Sequence, residues 1–172
     1  SDLDIFRMML PTNIWKIVKR ESKKNTKDKI YKEKADHTLT ADQEKIVNSI
    51  LSSEKSVSLI YAITGAGKTE MYKKLIQAEF AKGKQSLLLV PEISLTPQLV
   101  KYFEGTFKNI SVIHSKISEA KRAEEWKKIH SGESVLIIGS RSSLFYPFKD
   151  LGLIVMDEEH EWSYKQESSP RY

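Results

Sequence analysis

Residues 57–69 read VSLIYAITGAGKT, an apolar run that passes directly into a glycine-rich turn and then a Lys-Thr pair. The run VSLIYA (57–62) predicts a β-strand, and the pattern near 68–82 predicts a helix. AITGAGKT (62–69) therefore has the order strand, turn, helix that a phosphate-binding loop requires. Gly65 and Gly67 let the backbone curl until successive amide hydrogens face one anion, and the new helix adds its positive end. Thr64, Gly65, Ala66 and Gly67 are thus candidate cofactor contacts. Lys68 is placed to reach β and γ phosphates as a point charge, and the Thr69 hydroxyl to enter a magnesium shell. The pattern GxxxxGK(S/T) is broken at its first position, where Ala62 stands. That position begins the turn away from the phosphates, so it tolerates alanine at negative φ. A plain strand-to-helix turn with an exposed Lys68 is the alternative reading of the same letters.

Downstream, short β-branched or leucine-rich runs alternate with helical patterns. SLLLV (86–90) precedes a helix from about 95, and ISVIH (110–114) precedes a helix near 118–130; VLIIG (135–139) and LIVMD (153–157) follow. This alternation predicts an α/β fold, a parallel sheet with helices on both faces. Within 118–130, Ala120, Ala123, Trp126 and Ile129 share one stripe, so Trp126 reads as core, while Lys121, Arg122, Glu124 and Glu125 point elsewhere.

LGLIVMDEEH (151–160) ends an apolar strand in acids, which places Asp157 and Glu158 at the carboxyl edge of the sheet, where open α/β sheets bind ligands. Asp157 is the candidate magnesium holder beside Thr69, and Glu158 the group that polarises an attacking water. Lys68, Asp157 and Glu158 are the candidate catalytic residues, and Glu159 and His160 face away toward coupling elements. A charged strand end is the bland alternative.

The 172 residues, 40% hydrophobic and 30% charged, suit one globular domain with a short appendage. The net charge of +5 makes an anionic partner worth testing, but residues 16–36 alone hold nine bases and four acids, a surplus equal to the whole. That stretch is poor in large apolar residues and reads as a solvated linker or exposed helix that could touch nucleic acid. Residues 1–36 form a helical segment and basic linker, and 37–172 the main, nearly neutral body. The chain has no cysteine, which excludes disulfides and thiolate zinc sites and fits a reducing cytosol. His160 has no second histidine or cysteine at ligand spacing, so no zinc site is expected; His114 reads as a core or strand-end residue. The apolar runs are too short to span a bilayer, and no leader opens the chain, which predicts a cytoplasmic protein without a membrane partner.

AITGAGKTE and DEEH resemble motifs I and II of superfamily 2 helicases. VPEISLTPQ (90–98), His114-Ser115, GSRSSLFYPFKDLG (139–152) and DEEHEWSYKQESSPRY (157–172) narrow the likeness to the primosomal replication-restart helicases, over Leu39 to Tyr172. The resemblance implies the first RecA-like lobe, a three-layer P-loop NTPase fold, of a 3′ to 5′ DNA helicase using ATP and Mg2+. It implies single-stranded or forked DNA, single-strand-binding protein and other primosome proteins as partners.

The same resemblance assigns further roles. LTADQ (39–43) looks like the segment whose glutamine reads adenine, and Gln43 carries the donor and acceptor that N6 and N7 need; a Thr40 helix cap with an exposed Gln43 is the other reading. Ser94 and Thr96 are candidate DNA-phosphate contacts, or simple N-caps. Gly139, Ser140 and Arg141 suit backbone contact to DNA, with Arg141 either a phosphate clamp or a salt-bridge partner. The segment after motif II resembles an aromatic-rich loop that couples DNA to hydrolysis, and offers Trp162, Tyr164 and Lys165, with Arg171 and Tyr172, for stacking and phosphate contact. Glu161 and Trp162 stand where the family often has small polar residues.

Such a helicase closes two lobes around ATP, the second supplying arginines. The chain is therefore expected to be part of a longer helicase, stopping before motif III. By resemblance, the motif III strand lies between the strands of motifs I and II, so a gap between those two is expected. A nucleotide or DNA binding module without turnover is the alternative function.

Overall fold

The computed structural model describes residues 38–63 and 65–164. The expectations for residues 1–36, Thr64, Lys165, Arg171 and Tyr172 lie outside the described residues.

Four strands form one all-parallel sheet in the order β2-β3-β1-β4: β1 Gln85–Leu89, β2 Ile110–Ile113, β3 Leu136–Gly139 and β4 Leu151–Met156. Among the described residues, four α-helices accompany them: α1 Ala41–Leu51, α2 Lys68–Ala81, α3 Pro97–Glu104 and α4 Glu119–Ser131. The α/β expectation thus holds, with all but one of the expected strands within a few residues of their places.

Side-chain alternation explains the layering. Leu88 and Val90 of β1 and its continuation join Leu136, Ile138 and Val155 against Tyr72 and Ile76 of α2 and Phe103 of α3. Leu87, Leu89 and Ile137 face the other way, where Ile129 of α4 and Tyr146 cover them. The β1–β4 register shifts between Gln85 and Ser86, so Leu151 and Leu153 fall on opposite faces despite their even spacing.

Three expectations need correction: the strand at 57–62, the outward Glu125, and Ala120 on the packed stripe. VSLIYA is not a strand: residues 57–62 form no ladder, and Val57, Leu59 and Tyr61 are exposed. A strand exists only through a partner's backbone, and this segment faces β4 across a cavity of about 1040 Å³ lined by Val57–Ala62 on one side and Leu151–Met156 on the other. Segment 57–62 and β4 are therefore not paired, as the expected gap between them requires. β4 ends the described sheet, and its Ile154 and Met156 are exposed.

Glu125 is the second correction. It is buried, because Ser111 of β2 donates a hydroxyl to its carboxylate and Lys121 and Lys128 reach it at 2.8 Å and 3.4 Å. A buried charge survives only when paired and hydrogen-bonded. On the same helix Ala123 and Ile129 are fully buried, Trp126 is half-buried against the Leu87–Ile137 face, and Ala120 is exposed.

Candidate functional site

The carboxyl ends of β1, β3 and β4 lie side by side, because the sheet is parallel and in register: Leu89 pairs with Gly139 on one flank and Met156 on the other. The loops leaving these strands, and the turn that opens α2, deliver most of the expected site residues to one edge.

The turn before α2 is shaped by its glycines. Gly65 has φ 80° and Gly67 has φ 75°, a region that residues with a Cβ rarely enter. Gly67 is the N-cap of α2, and a Cβ there would collide with the Gln43 side-chain amide. Lys68 begins the helix, with its Nζ 4.0 Å from Asp157 Oδ1. Asp157 stands one residue past β4, its N–H donating to the Leu89 carbonyl at 2.9 Å and so extending the ladder. That bond fixes the backbone from which the carboxylate projects.

Asp157 Oδ1 also accepts the Tyr72 hydroxyl at 3.0 Å and the Glu158 N–H at 3.1 Å. Tyr72 is buried, and burial together with the Asp157 charge holds its phenol well above the usual tyrosine range. The sequence reading missed Tyr72, although it sits one helical turn after Lys68 and so on the same face. Glu158 follows at φ 50°, the sole non-glycine residue at positive φ among those described.

The capping reading of Thr40 holds, but Gln43 is half-buried rather than exposed. Thr40 caps α1 through its hydroxyl, and the Thr40 N–H donates to Gln43 Oε1 at 2.8 Å. The Gln43 amide then donates to the Ala66 carbonyl at 2.8 Å, tying α1 to the phosphate-type turn.

The expected DNA-contact residues divide. Ser94 closes a short 3-10 turn, Glu92–Ser94, and its hydroxyl donates to Glu158 Oε2 at 3.4 Å. Thr96 is the N-cap of α3, accepting the Leu99 N–H at 3.2 Å. Gly139 is buried, its carbonyl accepting the Val90 N–H, and a Cβ there would lie 2.6 Å from the Ile113 carbonyl. Its glycine answers to packing. Arg141 donates to the Tyr164 carbonyl at 3.2 Å, and Tyr164 donates its hydroxyl to the Asp157 carbonyl at 2.8 Å. Burial raises the Tyr164 phenol, with Asp157 and Glu158 adding to the shift. Trp162 is exposed, and so are Glu159 and His160. Ser140, Arg141 and Tyr164 share a smaller cavity of about 230 Å³ with Glu92 and Ser115. There Ser115 donates both its N–H and its hydroxyl to Glu92, holding that carboxyl below its ordinary value. This Glu92–Ser115 tie was also missed by the sequence reading, since it joins loops 23 residues apart.

Thr69 and Asp157 offer a hydroxyl and a carboxylate, and no group of three or more acid, histidine or cysteine ligands occurs among the described residues. A hydroxyl and a carboxylate are hard oxygen donors of the kind magnesium takes, and they would fill only part of its shell. No helix among the described residues is long and apolar enough to cross a membrane.

Comparison with known proteins agrees with this geometry. A family model described as DEAD/DEAH box helicase matches residues 40–171. The chain is 47% identical over 150 residues to the replication restart protein PriA of Bacillus subtilis, covering 84% of this chain and 19% of the relative. It is 43% identical over 142 residues to PriA of Helicobacter pylori J99, covering 81% and 23%. For Haemophilus influenzae PriA the figures are 42% over 142 residues, 80% and 20%. The chain thus spans about a fifth of the length of the curated relatives it matches.

Proposed function

The chain belongs to the DEAD/DEAH box helicase family, and on that premise we propose that it forms the ATP-binding lobe of a 3′ to 5′ DNA helicase acting in replication restart. The observation that carries the reading is the meeting of Lys68, Tyr72 and Glu158 on Asp157 at the mouth of a glycine-shaped turn.

In this reading the turn 62–69 cradles the phosphates with its amides and the positive end of α2, and Lys68 neutralises the γ phosphate. Thr69 and Asp157 hold magnesium, which when bound offsets the charge developing on the transferred phosphoryl group. Tyr72 and the Glu158 N–H fix the Asp157 carboxylate, so its orientation is set before nucleotide arrives. Glu158 orients the attacking water. Gln43, whose amide donates to the Ala66 carbonyl of the turn, is the residue this reading assigns to the adenine.

DNA runs along the same sheet edge in this proposal, contacting Ser94, Thr96, the Gly139 backbone, Ser140, Arg141, Trp162 and Tyr164, with Lys165 beyond the described residues. Tyr164 and Arg141 support a coupling role, since Arg141 holds the Tyr164 backbone and Tyr164 holds the Asp157 carbonyl. A shift in that aromatic segment is thereby passed to Asp157 through one hydrogen bond, and a shift at Arg141 through two.

The test is phosphate release by the intact protein with and without single-stranded DNA. DNA-stimulated hydrolysis in the parent that vanishes in Glu158→Gln supports the enzyme. ATP and DNA binding without turnover in the parent gives the binding-module alternative instead.

A further inference from the structure

Glu158 is pinned at three points. Its N–H donates to Asp157 Oδ1 at 3.1 Å, its carbonyl accepts the Glu161 N–H at 2.9 Å, and its carboxylate accepts the Ser94 hydroxyl at 3.4 Å. Together these hold it at φ 50°, a left-handed conformation that a residue with a Cβ avoids. Ser94 is itself firmly placed. Its N–H donates to Pro91 at 2.8 Å and its carbonyl accepts the Thr96 N–H at 2.9 Å, while Glu92 in the same short turn is tied to Ser115 after β2.

A serine hydroxyl has a single hydrogen to donate. It can give that hydrogen to the Glu158 carboxylate or to a phosphate oxygen, but never to both. Both acceptors are anionic, and the contact to Glu158 is long at 3.4 Å, so a phosphate oxygen at ordinary distance can displace it.

We propose that Ser94 is a positioning residue that restrains Glu158 in an unproductive pose, and that a DNA phosphate releases Glu158 by taking the Ser94 hydrogen bond. The proposal rests on the reading of Glu158 as the water-orienting group. It goes further in making one hydroxyl the point where DNA occupancy and hydrolysis exclude each other's resting contact. Without DNA, the carboxylate is turned toward Ser94 and water activation is slow. With DNA, the carboxylate loses that partner and turns to the water.

The experiment is steady-state ATP hydrolysis by the intact protein, with and without an oligothymidine strand, in the parent, Ser94→Ala, Ser94→Thr, Glu158→Gln and the double variant Ser94→Ala/Glu158→Gln. The proposal expects the DNA-free rate of Ser94→Ala to rise about three- to tenfold, the effect on a barrier of one long hydrogen bond of ordinary net strength. The ratio of DNA-stimulated to DNA-free rate falls with it. Ser94→Thr, which keeps a hydroxyl, returns the DNA-free rate toward the parent value, and the double variant loses the raised rate.

A role for Ser94 in DNA contact alone gives a different pattern: an unchanged DNA-free rate with a higher DNA concentration for half-stimulation. That result overturns the proposal, as does a raised rate that persists in the double variant. Hydrolysis at the parent rate in Glu158→Gln alone instead overturns the assignment of Glu158. A DNA-free rate in Ser94→Ala that drops while ATP affinity is retained, which shows a folded site, also counts against the restraint.

Discussion

The Tyr72 hydroxyl lies 3.0 Å from Asp157 Oδ1, joining the first turns of α2 to the end of β4 across 85 residues of sequence. Lys68 approaches the same oxygen from one turn earlier in α2. One carboxylate oxygen thus gathers both elements of the proposed nucleotide site, and of the partners that orient it two belong to α2 and one is the neighbouring Glu158 N–H.

Removing that hydroxyl tests its importance. Tyr72→Phe keeps the ring in the core and is expected to lower the hydrolysis rate roughly tenfold and to raise the magnesium concentration for half-maximal rate, as loss of a ligand's supporting bond does. The phenol is held above its ordinary value of 10.0, so the fold favours its neutral form. Its stabilising contribution is therefore complete below the ordinary value and is lost only as pH rises toward the raised one. Parent and variant rates should keep a constant ratio from pH 6 to about 9.

Gln43 separates two effects that its position combines. Gln43→Ala removes the reciprocal half of the Thr40 capping box and the Ala66 tie, and is expected to cost about 1 kcal/mol in denaturant unfolding. If Gln43 also reads adenine, the variant loses the preference for ATP over GTP in competition binding. A stability loss with the ATP preference intact would confine Gln43 to capping and support of the turn.

At Gly139 the expected consequence is structural. Gly139→Ala forces a Cβ against the Ile113 carbonyl and the Ser143 hydroxyl, and should destabilise by about 1–3 kcal/mol in urea unfolding, the usual cost of overpacking. Unchanged stability would contradict the packing role.

Arg141 can be judged by salt. Arg141→Ala is expected to weaken oligothymidine binding and to reduce the slope of log affinity against log salt by about 1 if the guanidinium meets a phosphate. An unchanged slope with lower hydrolysis would leave Arg141 as the anchor of Tyr164 alone.

The turn 62–69 and the acids after β4 were legible because their letters encode local geometry: glycines where φ is positive, and an apolar run ending in carboxylates. VSLIYA misled for the opposite reason. Its composition suits a strand, but a strand is a relation between two backbones, and the neighbour across the cavity is not paired with it. Glu125 was misplaced because a helical stripe ranks residues by hydropathy, whereas Lys121, Lys128 and Ser111 make burial of this charge tolerable. At Gly139 the packing need for glycine, set by Ile113 of β2 and by Ser143, is not written in the local letters GSRSS, which point equally to a backbone contact. Contacts such as Gln43 with Ala66 or Ser94 with Glu158 join segments far apart in sequence, and no local pattern announces them.

The central claim is a nucleotide site built by the turn 62–69, Lys68 and Asp157. Calorimetric titration of magnesium-ATP into the intact protein and its Lys68→Ala variant tests it most directly. Saturable binding in the parent, weakened at least about tenfold in the variant as loss of a charge-assisted contact predicts, is the expected result. Equal affinity in the two proteins would contradict the claim, because it would take Lys68 away from the phosphates.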